Sequence, residues 1–112
     1  DASAEKWSLE IESEMQSQNQ AYLINFTAAW CITCQTNEKT ALAREKVKEY
    51  LAEENITYVK ADWTNRNEEI AIGLAKYERT GIPLYIFWKP GMRGSKILPA
   101  VLTEDSLIKS MQ

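Results

Sequence analysis

Hydrophobic positions along this chain follow two periods. AYLINFTA (21–28), NITYVKA (55–61) and LYIFW (84–88) are compact apolar, β-branched or aromatic runs, as expected of strands buried in a sheet. Between Cys31 and about Glu53 there is no Gly or Pro, and Leu42, Val47, Tyr50 and Leu51 recur at near-helical spacing. That pattern predicts a long helix, broken at most once, with the cysteines in its first turn. Asn65 followed by Glu68 has the form of a capping box and predicts a helix presenting Ile70, Leu74 and Tyr77 on one face. TGIP (80–83) ends that helix. KPGMRGS (89–95) carries the Pro-Gly of a tight turn, and KILPAV (96–101) is expected to pair back on LYIFW as a hairpin. Thr103 then caps a last helix, with Glu104 and Asp105 where the helix dipole favours them and Leu107, Ile108 and Met111 towards the sheet.

Residues 1–19 carry the weakest pattern. Trp7, Leu9 and Ile11 alternate as in a strand, whereas Ile11 and Met15 lie one helical turn apart, so a short strand running into a helix is expected, ending near SQNQ. The whole order is β-α-β-α-β-β-α after that start. The first two strong strands and their helix form a parallel βαβ unit, and the later hairpin is antiparallel. The expected fold is therefore α/β, a central mixed sheet with helices on both faces, in a single domain over residues 1–112. No internal repeat or interdomain linker is visible.

Composition narrows the function classes. Of the 112 residues, 45% are apolar and 26% charged, an ordinary globular balance that argues against disorder. The net charge of −3, without any lysine or arginine cluster, leaves no footprint for nucleic acid. No apolar run reaches the roughly 20 residues that span a bilayer. DASAEKWSLE lacks the layout of a signal peptide, and the opening Asp fits a mature or excised piece of something larger; the chain is expected to be soluble as it stands. Histidine is absent, which removes Cys-His and Ser-His nucleophile pairs and His-containing zinc sites. Two cysteines alone cannot supply the four ligands of a structural zinc, so neither metal nor cofactor is expected.

Those two cysteines, Cys31 and Cys34, flank Ile32 and Thr33 directly after a buried strand. At a helix start, free backbone N–H groups and the helix dipole stabilise a thiolate on the first sulfur. The second, one turn on, is close enough to close a small ring reversibly. A bridge over so short a loop constrains the unfolded chain little and makes a poor staple. Redox exchange is the stronger reading, with Cys31 as the exposed attacking thiol and Cys34, more buried, as the resolving one.

Trp30-Cys31-Ile32-Thr33-Cys34 after the strand, with Gly81-Ile82-Pro83 ahead of a later one, resembles the thioredoxin fold over roughly residues 20–111. The resemblance implies a cis Pro83 lying against the Cys-x-x-Cys, with the Ile82 backbone pairing with a bound substrate strand beside Ile32 and Thr33. FTAAWCITCQTNE, KADWTNRNEEI and GIPLYIFW are more specifically similar to the C-terminal periplasmic domain of the DsbD family of transmembrane thiol–disulfide interchange proteins, and to the related ScsB group. Thioredoxin itself usually carries Gly-Pro between its cysteines. In the DsbD family this domain takes electrons from the membrane-embedded domain and passes them to the N-terminal periplasmic domain, in support of disulfide isomerases and cytochrome c maturation. The resemblance thus implies protein dithiol and disulfide partners, a periplasmic setting, a membrane link only through a tether outside this chain, and a monomer.

That family has acidic residues six positions before the first cysteine and seven after it. Glu38 fits the second; Asn25 replaces the first, and it can hydrogen-bond but carry neither charge nor proton. Glu38 alone is then expected to handle protons near the cysteines. Trp30 is expected to shield the site, and Trp63 and Trp88 to pack in the core. Asp62 and Arg66 could form a surface pair or a partner contact. With no histidine and no basic residue between the cysteines, nothing obvious stabilises the thiolate as strong oxidants require, so a reductant is expected. A stand-alone reductase or cytochrome c maturation factor, and a non-catalytic binding module, remain alternatives.

Overall fold

Five strands form one mixed sheet in the order β1-β3-β2-β4-β5: Glu5–Lys6 (β1), Tyr22–Thr27 (β2), Thr57–Asp62 (β3), Leu84–Trp88 (β4) and Lys96–Ile97 (β5). A computed structural model describes residues 4–112; the expected N-terminal strand–helix and single-domain span both include residues 1–3, which lie outside the described part. β1 and β2 both run parallel to β3, β2 pairs antiparallel with β4 (Ile24 opposite Ile86), and β4 with β5. Helices Ile11–Ser17 (α1), Ile32–Asn37 (α2), Glu45–Glu53 (α3), Glu68–Ala75 (α4) and Glu104–Met111 (α5) cover the sheet.

The alternation of β2 divides the core in two. Tyr22, Ile24 and Phe26 join Trp7, Val59, Leu84, Ile86 and Trp88 under α1 and α4, contributing Ile70 and Leu74. Leu23 joins Tyr85 and Phe87 under α3 and α5, with Val47, Leu51, Leu107 and Met111. Every residue of β2 is buried, which is why its apolar residues fall on both faces, with only Asn25 and Thr27 polar. Burying each large apolar side chain is worth about 1.5–3 kcal/mol, so both layers hold the centre of the sheet firmly.

One sequence expectation is refined and two are corrected. The long helix is interrupted: α2 passes into a π-helical turn, Glu38–Leu42, where the Ala43 N–H reaches back five residues to Glu38 O at 2.8 Å. Arg44 is then extended (ψ 140°) before α3 begins. The interruption turns Ala41, Leu42, Val47 and Leu51 into the same core layer. The cap of α4 is Asn67, not Asn65, without a side-chain cap bond. Arg66, in the left-handed region (φ 49°), lengthens the turn ahead of it. The C-terminal hairpin arm stops at Ile97: the Leu98 N–H still reaches Tyr85 O at 2.9 Å, but Pro99 has no N–H to continue the ladder. The cap of α5 forms as expected, with the Ser106 N–H donating to Thr103 Oγ1 at 3.0 Å.

Two contacts lock α1 and α4 to the sheet. Gly73 lets Trp7 approach α4 so closely that a Cβ there would sit 2.7 Å from Trp7 Cη2. Glu12, buried on α1, accepts from Tyr22 Oη at 3.3 Å and from Tyr77 Oη, with Lys76 Nζ at 3.9 Å.

Candidate active site

The loop between β2 and α2 carries the cysteines to the C-terminal edge of the central strand. Cys31 is the N-cap of α2, with extended backbone (φ −91°, ψ 105°), and its Sγ accepts the Cys34 N–H at 3.2 Å. Because the sulfur of Cys31 occupies the capping position, a backbone donor already points at it. Cys31 and Cys34 are disulfide-bonded, with Cα atoms 5.2 Å apart. Ala28 and Ile82 pack on the pair, and the Ile82–Pro83 peptide preceding β4 is cis.

Exposure is graded differently from the sequence expectation. Cys34 is sealed at 1%, and Cys31 keeps only 8% of its surface, with Ala28 and Ile82 packed against the disulfide. Cys31 is a buried residue in the disulfide form, not an exposed one. Its neighbours are the open residues: Ile32 is 83% and Trp30 44% exposed, and Thr33 also faces solvent.

Trp30 is held by more than its own packing. Its Nε1–H donates to Thr64 O at 3.0 Å, and the Ala29 N–H donates to Thr64 Oγ1 at 2.9 Å. Asp62 Oδ1 accepts the Thr64 N–H at 3.1 Å, as well as its hydroxyl. Trp63 is buried and Trp88 is in the core, as expected. The possible Asp62–Arg66 surface pair does not form among the described residues; the Arg66 guanidinium instead stacks over Trp30 (4.2 Å to the ring centroid) and Trp63 (5.4 Å).

Behind α2, a second group of polar side chains collects on the α3–α5 side of the sheet. Asn25 is buried on β2; its Nδ2 donates to Tyr58 Oη at 2.9 Å, and its Oδ1 takes no hydrogen bond among the described residues. Glu38, partly buried at the start of the π-helical turn, has its charge close enough to Tyr58 and Tyr85 to push both phenols upward. Burial is the larger cause in each: it takes Tyr85 up to about 12 and Tyr58 higher still. Asn25 and Glu38 therefore share one neighbourhood, through Tyr58.

Asn37 was missed by sequence reasoning. It is buried, and its Nδ2 donates to Tyr85 Oη at 2.8 Å and Ala100 O at 2.7 Å while Oδ1 accepts the Leu102 N–H at 3.0 Å. It thereby ties the cysteine helix to the segment that follows β5, leaving Val101 in the open. The available signal was its position in line with Cys34 and Ala41 on one helical face. Among the described residues no group of His, Cys, Asp or Glu is arranged to hold a metal ion, and no helix is long and apolar enough to cross a membrane.

A model of the thioredoxin-like family matches residues 4–90. The chain is 32% identical over 88 residues to the thiol:disulfide interchange protein DsbD of Yersinia pestis, covering 79% of this chain and 14% of that protein. It spans less than a fifth of the length of the curated relatives it matches. Among solved structures, the C-terminal domain of Neisseria meningitidis DsbD in its reduced form superposes with a TM-score of 0.71 at 20% identity, covering 90% of this chain and 87% of that one. A thioredoxin from Thermus thermophilus gives 0.72 at 17% identity, covering 97% and 85%. Both share the fold described above.

Proposed function

The chain belongs to the thioredoxin-like family, and on that premise we propose that it is a protein-disulfide reductase, a single-domain electron relay working through Cys31 and Cys34. In the reduced protein the Cys31 thiolate attacks one sulfur of a partner's disulfide. A Cys31–partner bond forms, the partner's S–S bond breaks, and its departing sulfur takes a proton. Cys34, deprotonated, then attacks Cys31 Sγ; the Cys31–Cys34 bond forms and the partner's second thiol leaves and is protonated. The partner gains two electrons and two protons, and a dithiol donor restores this chain by the reverse sequence.

The observation that carries the exchange chemistry is the capped sulfur: Cys31 Sγ accepts the Cys34 N–H at 3.2 Å in the disulfide, from a donor that would equally serve the anion. Cys34 is buried beside it, where only Cys31 can be its target. The backbone of Ile82, ahead of the cis Pro83, serves as the pairing edge for the partner's extended segment, and Ile32 and Thr33 line the approach. Glu38, with Asn25 fixing Tyr58, supplies the polar relay for proton movement. The partners are the membrane-embedded and N-terminal domains of a DsbD-type transporter, in the periplasm, and through them cytochrome c biogenesis. The equal likeness to a thioredoxin keeps a stand-alone reductase as the second reading.

Reduced Cys34→Ala protein, mixed with a disulfide-bonded model peptide, should accumulate a covalent Cys31–peptide adduct visible by mass spectrometry. No adduct would leave only a binding module. Equilibration with glutathione buffers should give a potential nearer thioredoxin's about −270 mV than DsbA's about −120 mV; a value at the oxidising end overturns the direction of flow.

A further inference from the structure

Arg66 sits in the turn before α4 with its charge beside the exchange site. Its backbone is left-handed (φ 49°), a conformation that a non-glycine residue rarely adopts. The turn is closed by the Arg66 N–H donating to Trp63 O at 3.0 Å and braced by Trp63 Nε1–H donating to Asn67 O at 3.1 Å. The result lays the guanidinium over the half-exposed indole of Trp30, the residue next to Cys31. Arg66 is itself exposed, so a guanidinium that rests on the ring can still offer solvent the N–H fork that binds a carboxylate through two hydrogen bonds. Among the described residues no carboxylate pairs with it, and Asp62 is occupied by Thr64. Trp30, Ile32, Thr33, Ile82 and Pro83 around the cysteines are all uncharged.

We propose that Arg66 is a specificity residue of the exchange site, selecting partner disulfides flanked by acidic side chains. This rests on the thiol–disulfide exchange proposed above. A carboxylate from the partner's segment closes on the guanidinium edge while the partner's sulfur meets Cys31. The protein's net charge of −3 by itself favours the opposite choice, so the preference is diagnostic of a local cation.

The test uses reduced protein and three peptides, each with one intramolecular disulfide, flanked by Asp, Lys or Ser. In each reaction the Cys31–Cys34 dithiol becomes a disulfide and the peptide becomes a dithiol. The Asp peptide should be reduced about two- to fivefold faster than the Lys peptide at low salt, the range of one solvent-exposed ion pair. The ratio should fall towards one at high salt and in Arg66→Gln, and be partly kept in Arg66→Lys. Equal rates for the Asp and Lys peptides while the Ser peptide is reduced overturn the selection alone, as does a full preference surviving in Arg66→Gln. Failure to reduce even the Ser peptide overturns the exchange reading and this proposal with it.

Discussion

At the scale of single residues, Asn37 shows how a polar side chain can hold the site without touching its chemistry. Its amide satisfies Tyr85, Ala100 and Leu102 at once, and truncation strands those groups in a buried setting. Asn37→Ala should lower stability by about 1–3 kcal/mol in urea denaturation; a change within a few tenths would show that water replaces the amide without cost. The cysteines were legible from spacing alone because their chemistry depends on that spacing. Asn37 was not, because asparagine in a helix also fits a solvated face, and what settles its role is a backbone segment more than sixty residues away. The predicted Asn65 cap failed for a related reason: Glu68 three positions on fits a capping box locally, but the left-handed turn at Arg66 moves the cap to Asn67.

At the scale of elements, β2, β3 and β4 were readable from their apolar runs, while the place and form of the break in the cysteine helix were not. The interruption after α2 has neither Gly nor Pro to announce it and follows from turning Leu42 and Val47 into one layer. The packing of α4 on Trp7 hinges on Gly73, where the helix accepts a poor helix former to admit the indole. Gly73→Ala improves helix propensity by up to about 1 kcal/mol, yet overpacking of this kind costs about 1–3 kcal/mol. The variant should therefore unfold at lower urea, and Trp7→Leu should recover part of the loss in a double-mutant cycle. A stabilised Gly73→Ala would show that Trp7 moves aside freely.

At the scale of the whole molecule, all five tyrosines titrate above the ordinary phenol value of 10.0, through burial first in every case. Tyr22 and Tyr85 reach about 12. Since the unfolded chain ionises first, the stability these neutral phenols contribute is complete below pH 10 and drains away as pH rises towards 12. Tyrosinate absorbance should lag a free-tyrosine curve and then rise together with loss of far-ultraviolet helix signal; a normal, non-cooperative titration would contradict the burial. The parallel βαβ unit was legible from strand order, and the placement of β1 beside β3 was not, since two residues carry too little pattern. That brevity has its own effect. Both outer margins of the sheet, Glu5–Lys6 and Lys96–Ile97, expose lysine on a two-residue stub, and the second meets a proline after a single intervening residue. Neither rim gives a foreign chain room to zip on, so this protein resists fibre growth from its flanks even when concentrated.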